Sequence, residues 1–166
     1  MKQKLAIFGG KKTFNEKVER YNSIDSNEVK AVTEVVESGI LSQYLGEWDA
    51  DFYGGPKVKQ FESNWSDYFN IKHSIAVNSN TSGLIVALGA IGLEPGDEVI
   101  VSPWTMSASA TAIIVWNAIP VFADIEDETF NLDPKSILKN ITSSTKAIVV
   151  TNIFGHAARL NEIMAI

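Results

Sequence analysis

The chain has 166 residues, is 45% hydrophobic and 20% charged, and carries a formal net charge of −6, which fits a soluble globular domain. The acidic balance gives no electrostatic footprint for nucleic acid and repels an anionic membrane surface. The absence of cysteine excludes a disulfide framework, a thiol nucleophile and a thiolate zinc site, and two histidines are too few for a His-rich metal cluster.

Along the chain, residues 1–25 show weak periodicity and are expected to form an extended arm. Met1 to Phe8 is too short an apolar run for a signal peptide, and no uncharged stretch reaches the ~18 residues of a membrane helix, so a reducing cytoplasm is the default compartment. Asp25-Ser-Asn-Glu28 then supplies a capping carboxylate three residues before a glutamate. Val29, Val32, Val35 and Val36 follow at helical spacing to Gly39. From Ile40 to Gly55, Tyr44, Trp48, Phe52 and Tyr53 lie among glycines, a composition that suits an ordered loop better than a linker. Pro56 starts the strongest helical stripe, Val58, Phe61, Trp65, Tyr68 and Phe69, expected to pack into a core.

Beyond this point apolar runs alternate with helical patterns. The expected strands are Ser74–Val77, Val99–Val101, Pro120–Ala123 and Ala147–Thr151; the expected helices are about Ser82 to Ile91, Ser107 to Asn117 and Pro134 to Ile141. The alternation predicts an α/β fold, a mainly parallel sheet with flanking helices, over one domain from residue 26 to 166. Glu94-Pro-Gly-Asp97 reads as a turn, and Asp133-Pro134 as an N-cap followed by a first-turn proline. Ala158 to Ile166 reads as an amphipathic helix with Leu160, Ile163 and Met164 on one face. It stops without a Gly, Asn or Pro, and the chain is therefore expected to be a piece of something longer.

A parallel sheet brings its strand-to-helix turns to one carboxyl edge, where α/β proteins bind ligands. The turn Val77-Asn-Ser-Asn-Thr-Ser-Gly83 opens a helix whose leading amides and hydroxyls, with Ser79, Thr81 and Ser82, suit a phosphate; the competing reading is that Ser79 or Thr81 is a simple cap. It lacks the glycines of a dinucleotide fingerprint, and Gly10-Lys11 lies in no P-loop. Trp104 and Met106, after the second strand, are candidates to press on a planar ligand, against an equal case for core roles. Asn152 and His156 supply polar atoms after the fourth strand, although a lone loop histidine is more often structural. Asp124 to Glu128 lacks calcium-loop spacing and reads as a solvated connection, so no metal site is assigned. Gly-x-Ser-x-Gly is absent.

From about Ser26 to Ile166, the ordered motifs Gly54-Gly-Pro-Lys-Val-Lys-Gln-Phe-Glu62, Ala76 to Gly83, Pro95-Gly-Asp-Glu-Val-Ile-Val101, Thr105-Met106, Pro120 to Asp124, Phe130-Asn-Leu-Asp-Pro134 and Phe154-Gly155 resemble the DegT/DnrJ/EryC1/StrS aminotransferases. The resemblance implies the N-terminal part of a fold-type-I pyridoxal 5′-phosphate-dependent transferase large domain. It implies transfer of an amino group from glutamate or glutamine to a nucleotide-linked keto sugar, in a homodimer. It places Asn80, Thr81 and Ser82 at the family's phosphate turn, Asn80 standing where relatives have glycine and tolerating positive φ. Met106 matches the position of the ring-stacking aromatic, with Trp104 as its neighbour. The family's pyridine-binding aspartate and Schiff-base lysine match no residue here, and none of the twelve lysines corresponds, so no catalytic residue is assigned and this length alone is expected to be inactive. The alternatives are a dehydratase of the same family, or a noncatalytic α/β binding module if the chain is complete.

Overall fold

The computed structural model describes residues 4–166. Contacts divide the chain into two compact units, at Ser74/Ile75, whereas the sequence pattern drew its boundary at residue 25.

In the first unit, the part of the expected arm from Lys4 onward is exposed apart from half-buried Gly10 and irregular apart from one 3₁₀ turn, Ala6–Phe8, and residues 1–3 of it lie outside the described residues. Helix α1, Ser26–Ser38, starts at Asp25, whose carboxylate accepts from Asn27 N at 2.7 Å while Glu28 Oε2 accepts from Asp25 N at 2.8 Å. This reciprocal cap satisfies amides the helix cannot reach, and Gly39 ends the helix at φ 72°. The aromatic loop that follows is ordered. Gly54 N donates to Gln43 O at 2.8 Å and Leu45 N to Asp51 O at 2.9 Å, with the Trp48 and Phe52 rings stacked at 4.5 Å. Gly54 permits this path: at φ 89°, a Cβ there would lie 2.8 Å from the Tyr44 ring.

Helix α2, Pro56–Phe69, carries the expected stripe, but the stripe is not in a core. Phe61, Trp65, Tyr68 and Phe69 are all exposed, and α2 contains no buried residue. Phe61, Trp65 and Phe69 cover one another instead, with successive centroids 5.7 and 4.7 Å apart. Spacing places side chains on one face; burial needs a second surface.

The second unit is built on three parallel strands, β1 (Glu98–Val101), β2 (Ile119–Phe122) and β3 (Thr145–Val149), ordered β2-β1-β3. Ser74–Val77, expected as the first strand, joins no ladder: the sheet has three strands, and this run is extended without pairing to either outer strand. Helices α3 (Asn80–Ala90) and α4 (Ser107–Ile114) cover one face; α5 (Pro134–Asn140) and α6 (Leu160–Met164) cover the other. The period-2 pleat sorts the core. Val99 and Val101 join Leu88, Ala112 and Ile113, while Ile100 joins Leu132, Ile137 and Ile163. Helix α4 stops short of Asn117, which adopts φ 57°. Helix α6 is only one turn long and buries Ile163 alone, leaving Leu160 and Met164 exposed.

Trp116, just past α4, donates from Nε1 to Ile85 O at 2.9 Å and lies against Gly89, which fastens α4 to α3. A Cβ on Gly89 would fall 2.3 Å from the Trp116 ring. Gly89→Ala should therefore destabilise the protein by about 1–3 kcal/mol through overpacking, despite the better helix propensity of alanine, read as a lowered urea midpoint at unchanged m-value.

Candidate functional site

Because all three strands are parallel, the turns after β1, β2 and β3 gather at one edge of the sheet. Helix α3 packs on the same face of the sheet as α4, and its amino terminus carries the turn singled out in the sequence. At α3, Ser79 is the cap: its Oγ accepts from Ser82 N at 3.1 Å and donates to Ser82 Oγ at 3.1 Å. Thr81 is partly buried one residue inside the first turn and does not cap. Asn80 is the first helical residue and exposed, and its backbone needs no positive φ, so the glycine-like freedom expected of it is not used. The helix itself offers no acceptor to the amides of Asn80 and Thr81.

The turn after β1 is held by its hydroxyls. Ser102 Oγ accepts from Trp104 N at 3.1 Å, and Thr105 Oγ1 lies 2.9 Å from Ser109 Oγ and 3.1 Å from Thr151 Oγ1. This chain of hydroxyls ties the end of β1 to the end of β3 across 46 residues. It fixes the backbone from which Trp104 and Met106 project. Trp104 is half exposed, and its ring stands 5.9 Å from that of Phe130, which meets Phe154 edge to face at 6.5 Å. Met106 is 77% exposed and serves as the N-cap position of α4 without a capping side chain. Trp104 thus joins an aromatic arc at the carboxyl edge, and Met106 does not.

After β2, the acidic stretch is more than a solvated connection. Glu126 takes Arg159 Nε at 2.7 Å and Thr129 Oγ1 at 2.7 Å, and Ile125 bridges Leu132. Its carboxylate is committed to shaping the loop. Asn152 Oδ1 accepts from Ala158 N at 2.9 Å, and His156 Nδ1 lies 3.2 Å from Asn131 Nδ2. Both are structural bridges, as the bland reading of the histidine expected. Sequence reasoning did not single out Ser102, Ser109, Thr151 or buried Asn131 as site residues. Their signal was available as polar residues immediately past apolar runs that end at one sheet edge.

A family profile described as the DegT/DnrJ/EryC1/StrS aminotransferase family matches residues 22–166. The spore coat polysaccharide biosynthesis protein SpsC of Bacillus subtilis is 43% identical over 143 residues, covering 86% of this chain and 34% of that protein. GDP-perosamine synthase of Vibrio cholerae is 31% identical over 141 residues, covering 85% of this chain and 36% of that protein. Among solved structures, NtdA from Bacillus subtilis with bound cofactor PMP matches with a TM-score of 0.76 and 29% identity, over 91% of this chain and 34% of that one. The chain spans about a third of the length of the curated relatives it matches.

The geometry separates two hydroxyl roles at α3. Ser79→Ala should cost about 1 kcal/mol of stability through loss of the cap, whereas Thr81→Ala should stay within about 0.5 kcal/mol of the parent protein in the same denaturant titration.

Proposed function

We infer the function of the whole protein from one premise: the chain belongs to the DegT/DnrJ/EryC1/StrS aminotransferase family. The protein is a pyridoxal 5′-phosphate-dependent aminotransferase that aminates a nucleotide-linked keto sugar, with glutamate or glutamine as donor. It works as a cytoplasmic homodimer, and residues 26–166 form part of its large domain. The observation that carries this reading is a capped helix amino terminus and an aromatic arc at the carboxyl edge of a parallel sheet, in a chain of that family.

The residues present fit the cofactor's chemistry. Ser79 already satisfies the cap, so the Thr81 hydroxyl and the leading amides of α3 are left to meet a dianionic phosphate at the positive end of the helix dipole. Asn80 and Ser82 flank them on the same turn. That dipole contributes only about 0.3–1 kcal/mol, so the hydroxyl and amide donors must carry most of the phosphate affinity. The half-exposed indole of Trp104 offers a face for the pyridine ring, and the more exposed Met106, two residues on, offers a polarisable thioether. When bound, pyridoxal phosphate supplies the electron-withdrawing ring that stabilises negative charge at the substrate carbon. The segment's own task is to grip the phosphate, orient the ring and exclude water from one side of it. The reactive amine belongs to residues outside this segment. GDP-perosamine synthase, by its name, makes a nucleotide-linked sugar, which supports the substrate class.

Borohydride reduction of the full-length protein with pyridoxal phosphate should fix the cofactor on a single lysine outside residues 1–166. Recovery of the label on any lysine within them, by peptide mass spectrometry, contradicts the assignment. In the same protein, Thr81→Ala should weaken the cofactor by about 1.5–3 kcal/mol, the worth of a hydrogen bond to a charged group. Unchanged affinity, measured by titration of the apoenzyme, would return Thr81 to a purely structural place.

A further inference from the structure

Asn131 is about 1% exposed, yet its amide is fully used. Nδ2 donates to His156 O at 3.2 Å and lies 3.2 Å from His156 Nδ1, and Oδ1 accepts from Ile153 N at 3.1 Å. Its backbone is tied as well: Asn131 O accepts from Glu126 N at 2.8 Å, and Asn131 N donates to Thr129 Oγ1 at 3.2 Å. One side chain thereby joins the loop after β2 to the loop after β3. A buried amide that lost these partners would leave several polar groups dry, so the two loops are locked as a pair.

On either side of these bridges stand Phe130 and Phe154, with φ of 61° and 53°. The left-handed region disfavours a bulky side chain, and glycine would occupy it without strain. Keeping a phenyl ring at both positions therefore serves the rings and not the turns. Strain of this kind persists where the surroundings over-determine it, and it gathers at binding sites. Here the surroundings are the Asn131 bridges, and the ring that Phe130 faces is Trp104, at 5.9 Å with 34° between planes.

We propose that Asn131 is a positioning residue: it holds Phe130 against Trp104 and so fixes the Trp104 ring as the wall on which the cofactor's pyridine ring lies. This rests on the proposed function, in which Trp104 offers the ring a face, and adds Phe130 as the backing of that face. Without that backing the half-exposed indole is free to rotate, and the cofactor has to order it on binding.

The test uses the full-length apoenzyme titrated with pyridoxal phosphate, with visible circular dichroism of the bound cofactor as a report of how its ring is set. Phe130→Leu, which leaves the Asn131 bridges in place, should weaken the cofactor about 3- to 10-fold and diminish the dichroic band, as should Asn131→Ala. In a Trp104→Leu background neither change should weaken binding further, because residues acting through one another are not additive. If Asn131→Ala fails to fold, the Phe130 and Trp104 cycle decides. Unchanged affinity and dichroism in Phe130→Leu, or effects that add in the Trp104→Leu background, overturn the proposal while leaving the cofactor assignment standing. Failure of the parent protein to bind pyridoxal phosphate overturns both.

Discussion

Everything in residues 75–166 depends on the burial of β1 on both faces. Val99, Ile100 and Val101 are fully buried in the middle of the sheet, and the pleat sends neighbours to opposite sides. Each such side chain contributes about 1.5–3 kcal/mol when removed from water, so a strand of four residues feeds two hydrophobic clusters at once. The parallel sense has a topological price: each strand must be followed by a crossover that returns the chain to the same starting edge. Those returns are α4 and α5, and they supply the covers that the two faces need. The same returns place every strand-to-helix turn at the carboxyl edge. Packing and site are one consequence of a single constraint.

That edge is polar where it must be and aromatic where it can be. Ser102, Thr105, Ser109 and Thr151 satisfy one another and the turn backbone, which lets buried strand ends finish without orphaned polar groups. Asn131 does the same for the next two loops. With the backbone satisfied, the side chains that face outward are free to serve a ligand, and Trp104, Phe130 and Phe154 form a connected series there. The Glu126 carboxylate is held by Arg159 and Thr129, so at that position it serves the shape of the loop.

Much of the fold was legible because its signals are local. Asp25 and Glu28 make their reciprocal cap, Asp133 accepts from Lys135 N at 3.0 Å ahead of α5, and Gly96 turns at φ 90° into β1. Three of four strands and helix α3 followed from apolar runs and turn chemistry. What was not legible depends on partners distant in sequence. The run Ser74–Val77 has strand composition, but composition cannot supply a neighbour, and neither outer strand of the sheet pairs with it. The hydroxyl link from Thr105 to Thr151 and the left-handed phenylalanines have no periodic signature at all. The candidate site was therefore readable as a location and, at Asn131 and Phe130, unreadable as a construction.

Residues 4–74 show the limit of periodicity most sharply. The α2 stripe has the spacing of a core face, and its rings do meet: Trp65 touches Phe61 and Phe69 within 6 Å of centroid separation. Yet among the described residues of this unit Gly54 alone is buried. Ring-to-ring contacts along one helix are worth a fraction of full burial, roughly 0.5–1.5 kcal/mol per pair. The order of this unit consequently rests on the Asp25 cap, the Gly39 and Asn70 stops, and the hydrogen bonds of the 43–54 loop, each a local term. Local terms of this size sustain elements without creating a core. The contrast with β1 follows from geometry: a strand between two neighbours is covered by the sheet's own crossovers, whereas an amphipathic helix covers nothing until a second surface meets it.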